Sequence, residues 1–151
     1  MENKQVNYNC DYYIDKFRAI PDSQWAIGTR LLDDGSKCAL GHLEDDYYTS
    51  SHGCQLLGII KLFKDMSVHI IKKDSFNAYD IGDIVKDARF IVAAINNGET
   101  AEYQQATPKE RILAVLEDIK AKLELTIKEK IVYVTVDEPV RKLQEMELIQ
   151  N

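Results

Sequence analysis

The sequence predicts an α+β fold, a compact and mostly helical single domain (1–151) with a small antiparallel sheet or hairpin. Apolar residues recur at helical spacing in several stretches, most clearly at Ile112, Leu116, Ile119 and Leu123. Two stretches, 25–31 and 130–136, read instead as strands, by alternation and by β-branched content. The 151 residues, 45% of them hydrophobic, can bury one core without disulfides or a metal.

Taken in order, Tyr13, Phe17 and Ile20 mark a first helix, with Asn9 as its cap and Pro21 beyond its end. Trp25, Ile27, Thr29 and Leu31 alternate as a half-buried strand does, and Asp33-Asp34-Gly35-Ser36 forms a turn. Residues 38–43 fit either the return strand or a short helix. Ser50-Ser51 can cap a helix burying Leu56, Ile60 and Phe63, and residues 67–71 make a weak strand. Asp80 or Asp83 opens a helix with Ile84, Ala88, Ile91 and Ile95 on one face, and Asn96-Asn97-Gly98 stops it. After the polar connector 99–106, Thr107-Pro108-Lys109-Glu110 has the pattern of a capping box with proline at the first helical position. Lys130 to Val136 is strand-like, and Asp137-Glu138-Pro139 opens a last helix through Val140, Leu143 and Met146. The expected core is Trp25, Leu40, Ile91, Ile95, Ile112 and Leu116.

Charge narrows the partners. Nineteen basic against 25 acidic residues give a net charge of -6, a poor basis for holding a phosphate backbone, so no nucleic acid is expected. Phe90 to Ile95, the longest apolar run, falls far short of the roughly 20 residues a membrane helix needs. The odd number of cysteines, three, implies no disulfide framework. A soluble, cytoplasmic protein is the expectation. The densest acidic spot is Glu44-Asp45-Asp46, followed by Tyr47-Tyr48. It reads either as a solvated loop or as a patch that steers a basic protein surface inward and then grips it with tyrosine.

Cys38, His42, His52 and Cys54 form the best constellation for chemistry. A two-plus-two set of thiolate and imidazole suits tetrahedral zinc, but this spacing matches no standard finger, and buried structural cysteines explain the same residues. Cys38 with a histidine base can also be read as a thiol nucleophile, although no third, orienting group is evident. Neither a dinucleotide-binding glycine pattern nor a phosphate-cradling loop with its lysine is present, so no cofactor is expected.

Trp25, then Cys38-Ala39-Leu40-Gly41, then Asn96-Asn97-Gly98, then Pro108-Lys109-Glu110-Arg111-Ile112 resemble a family of small uncharacterised proteins of phages, mobile elements and bacteria. That family is marked by Trp, Cys-Ala-Leu-Gly, Asn-Asp-Gly and Pro-x-x-Arg, and the match covers about half the chain. Asn97 stands where the family has Asp, so a role requiring that carboxylate is not carried over. The resemblance implies a compact α+β domain in a phage or mobile-element setting, within the cytoplasm of a bacterial host, and brings no activity with it. The leading expectation is a non-enzymatic protein that binds a protein partner through Glu44, Asp45, Asp46, Tyr47 and Tyr48. The alternatives are a thiol-dependent enzyme using Cys38 and a pocket protein sequestering a small molecule or nucleotide.

Overall fold

The computed structural model describes residues 7–28, 35–43, 54–72 and 79–150. Its elements are helix α1 (Cys10–Arg18), a 3-10 turn (Asp22–Gln24), a helical segment at 39–43 and helix α2 (Cys54–Leu62). Strands β1 (Val68–His69) and β2 (Ile84–Val85), helix α3 (Ala88–Asn96) and helix α4 (Pro108–Gln150) follow. The strands pair antiparallel, Val68 with Val85 and His69 with Ile84. The protein is therefore a mostly helical α+β chain with a small antiparallel sheet. Contacts group it into two compact units, Met1–Ile119 and Lys120–Asn151.

The first unit holds the core. Asn9 caps α1 by accepting the Tyr12 N–H at 2.9 Å, and Tyr13, Ile14 and Phe17 then bury one face. Asp87 does the same for α3, accepting the N–H groups of Arg89 and Phe90. Thr107 caps α4 through the Glu110 N–H at 3.2 Å. Trp25, Leu40, Ile91, Ile95, Ile112 and Leu116 all lie in one buried cluster, the core expected from the sequence. Leu116 is wholly buried, so Leu116→Ala should destabilise by about 2–5 kcal/mol. An unchanged denaturation midpoint would contradict that packing.

Helix α2 meets Tyr8 and Tyr13 at a glycine. A Cβ built on Gly58 would sit 2.8 Å from Tyr8 Cβ and against Tyr13 Oη, whose hydroxyl donates to the Gln55 carbonyl. Replacing a helical glycine with alanine ordinarily gains about 1 kcal/mol. Here the sign should reverse. Overpacking costs about 1–3 kcal/mol, so Gly58→Ala is expected to lower the urea midpoint. A raised midpoint would show that the tyrosines yield freely.

Four expectations need correction. Residues 25–28 are not a strand: Trp25 and Ala26 are buried, Ile27 is exposed, and Gly28 turns the chain at φ 79°. Trp25 makes only an isolated parallel bridge to Lys37, and 39–43 is helical rather than a return strand. No helix begins at Asp80 or Asp83. Those residues close a turn through Gly82 (φ 95°), and the β-branched pair Ile84-Val85 joins β1 instead. Nor is 130–136 a strand, since α4 runs unbroken from Pro108 to Gln150, with Pro139 inside it. β-propensity expresses packing against a neighbouring strand, and the described strands pair only with each other. Extending an existing helix adds one backbone hydrogen bond per residue without a new nucleus. Finally, Leu123 is exposed, so the core-facing stripe of α4 ends at Ile119.

Among the described residues no helix is long and apolar enough to cross a membrane.

Candidate functional site

The segments that carry the family resemblance meet at one buried side chain. Asn96, the last residue of α3, is 0% exposed. Its Oδ1 accepts the Ala39 N–H at 3.0 Å, while its Nδ2 donates to the Ala26 carbonyl at 2.9 Å. It thereby ties the Trp25 and Cys-Ala-Leu-Gly segments to the end of α3. The Nδ2 group also donates to Asn97 Oδ1 (3.1 Å), which in turn accepts the Gly28 N–H at 2.8 Å. An aspartate at 97 could accept both of these bonds as well.

Arg111 completes the arrangement from the first turns of α4. Its Nε donates to the Ile95 carbonyl at 3.0 Å, Nη2 to the Asn96 carbonyl at 2.7 Å and Nη1 to the Gln105 carbonyl at 2.8 Å. Ile95 and Asn96 are the last carbonyls of α3, where a cation also meets the negative end of the helix dipole. Burial lowers the Arg111 pKa, partly opposed by Glu110, yet an arginine remains charged. Gly98, at φ 72°, leaves room for the guanidinium, because a Cβ there would stand 3.2 Å from Arg111 Cζ.

Cys38 is 7% exposed. Burial of that kind disfavours the thiolate that metal binding and nucleophilic attack both require. His42 lies one turn on and packs edgewise on Trp25, ring centroids 5.2 Å apart. Its Nε2 lies 3.0 Å from the Gln24 carbonyl, which can only accept, so that nitrogen carries the proton. Burial lowers the His42 pKa, with Lys37 and Lys16 adding to the effect and the Gln24 carbonyl opposing it. Cys54 opens α2, and His52 lies outside the described residues, as do Glu44, Asp45, Asp46, Tyr47 and Tyr48. Among the described residues no group of three or more His, Cys, Asp or Glu side chains is placed to hold a metal ion.

A polar pair not anticipated from the sequence joins β1 to the connector after α3. His69 Nδ1 lies 2.7 Å from Glu102 Oε1, and the His69 N–H donates to Glu102 Oε2 at 3.0 Å. The Ala101 N–H donates back to the His69 carbonyl, so 99–102 straps along β1. Tyr103 then adopts φ 61°, unusual for a residue with a Cβ, and its hydroxyl donates to Asp118 at 2.8 Å. Burial, then the Asp118 hydrogen bond, raises the Tyr103 pKa. His69 and Glu102 lie 33 residues apart, a separation at which no short motif operates.

Burial pushes the Glu102 carboxyl up, but the two hydrogen bonds from His69, joined by a further backbone hydrogen bond and the charge of His69, together hold the pKa below the ordinary 4.5. A carboxyl depressed by folding stabilises the fold above its unfolded pKa, and that contribution is lost as pH falls through the folded value. The wild-type melting temperature should therefore drop more steeply than that of Glu102→Gln between about pH 6 and about pH 3. Parallel curves would show that the pair adds nothing to stability.

The chain has no match among models of protein families, curated proteins or solved structures.

Proposed function

We propose that the chain is a non-enzymatic interaction protein that docks on a protein partner, an accessory or host-modulating factor of the kind phages and mobile elements encode. The internal use of Asn96 and Arg111 carries this reading. The polar residues that mark the resemblance donate to and accept from backbone groups of the fold itself, which fits a framework better than a reaction centre. A framework of that kind supports function on its surface. Ile81, Ile84 and Phe90 are exposed, and the Tyr79 ring stands edge-on to Phe90 at 5.4 Å. Aromatic and aliphatic side chains in this setting supply contact area once a partner has arrived. The acidic stretch Glu44-Asp45-Asp46 with Tyr47-Tyr48 supplies the steering and a second grip.

The test uses a partner captured on the immobilised chain, then purified and rebound by surface plasmon resonance. Phe90→Ala and Tyr48→Ala should speed dissociation about tenfold or more. Reversal of Asp45 and Asp46 to lysine should mainly reduce the association rate and its salt dependence. Wild-type kinetics in all three variants would overturn the proposal.

A further inference from the structure

Asn97-Gly98 is the one Asn-Gly pair in the chain. Such a pair is open to a reaction that needs no enzyme, attack of the glycine backbone nitrogen on the asparagine side-chain amide. Glycine has no side chain to hinder the approach and the widest choice of backbone angles in which to make it. As the bond from Gly98 N to Asn97 Cγ forms, the Cγ–Nδ2 bond breaks, and ammonia leaves with the proton that the Gly98 nitrogen gives up. Water then opens the five-membered imide at one of its two carbonyls. Opening at Cγ leaves aspartate. Opening at the main-chain carbonyl leaves isoaspartate, with the backbone rerouted through Cβ and Cγ.

The fold holds each reacting atom off that path. Ring closure requires the Gly98 nitrogen to eclipse Asn97 Cβ about the Cα–C bond, and the observed ψ of -4° places it well to one side. The Gly98 N–H is engaged with the Ile95 carbonyl at 3.1 Å, and the Glu99 N–H with the Ala94 carbonyl at 3.0 Å. Asn97 Oδ1 is held by the Gly28 N–H and by Asn96 Nδ2, while Arg111 pins the Ile95 and Asn96 carbonyls. Asn97 itself is only half-buried, so water is at hand once these bonds part. Parting them is a local event, which costs less than unfolding the core. We propose that Asn97 is a deamidation site gated by the C-terminal end of α3, reacting when that end opens while the rest of the first unit stays folded. The aspartate product keeps oxygens for Gly28 and Asn96. Isoaspartate instead lengthens the backbone beside the Gly98 turn, where the Arg111 guanidinium packs closely.

The full chain, held in mildly alkaline buffer and then digested in acid, is followed by chromatography and mass spectrometry of the peptide containing residue 97. Aspartate and isoaspartate should both accumulate, more than about tenfold more slowly than in the urea-unfolded chain. Below the unfolding transition, the logarithm of the rate should rise with urea far less steeply than the global unfolding equilibrium does, because opening a helix end exposes little surface. Asn96→Ala removes one donor from Asn97 Oδ1 and the tie to residues 26 and 39, and should speed conversion in the folded chain about tenfold. If that variant unfolds, the urea dependence of the wild type decides. Equal rates in the folded and unfolded chains would overturn the proposal, as would a rate that follows global unfolding or a folded Asn96→Ala chain that reacts like wild type. Aspartate without isoaspartate would exclude the imide route and overturn it as well.

Discussion

Asn96→Ala should destabilise the protein by about 2–5 kcal/mol, among the largest single effects in the chain. The reason is the pair of backbone groups it would abandon. The Ala39 N–H and the Ala26 carbonyl each have Asn96 as a partner, and each belongs to a buried residue. Stranding one buried polar group costs about 1–3 kcal/mol, and alanine strands both. Asn96→Asp is the sharper variant. It keeps an acceptor for Ala39 but replaces the donor with a carboxylate oxygen facing the Ala26 carbonyl. Two acceptors then face each other without a proton, in a site closed to water. The aspartate variant should accordingly be the less stable of the two at neutral pH and should recover part of the loss as acid protonates it. Urea denaturation at two pH values measures both. An Asn96→Ala midpoint within error of wild type would show that water replaces the amide.

That residue also shows what the sequence makes legible and what it conceals. Asn96-Asn97-Gly98 reads correctly as a helix stop, because Gly98 needs a positive φ and helix ends have local chemistry. The caps at Asn9 and Thr107 and the apolar stripe from Ile112 to Ile119 are legible for the same reason: their partners lie within a turn or two. The second role of Asn96, tying 26 to 39, spans separations of 70 and 57 residues, which no local pattern encodes. His69 with Glu102 was hidden in the same way. The errors at 25–28 and 130–136 share another cause, residues 29–31 lying outside the described residues. Alternation and β-branching report a preference for a pleated, half-buried surface, and only the tertiary fold decides where such a surface exists. Ile84-Val85 meets β1, while 130–136 continues a helix already under way.

Arg111→Met should destabilise by about 3–5 kcal/mol, and Arg111→Lys should recover only a small part of the loss. Three carbonyls receive the guanidinium, from Ile95, Asn96 and Gln105, on two sides of the Gly98 turn. Charge-assisted hydrogen bonds are worth about 1.5–3 kcal/mol each, but Gln105 is exposed and water can replace that bond, which keeps the total below the simple sum. Lysine carries the charge without the planar fork, so a single ammonium cannot reach carbonyls placed to suit Nε, Nη1 and Nη2. Because the Asn96 carbonyl serves Arg111 while the Asn96 amide serves residues 26 and 39, the two side chains hold the same helix end. Once either is removed, that end is freer to shift, and the second deletion has less left to disrupt. The double variant Asn96→Ala/Arg111→Met should therefore lose at least about 1 kcal/mol less than the two single losses combined. Strict additivity in the cycle would mean that the amide and the guanidinium act as independent anchors, and that the convergence of the motif segments has no energetic consequence.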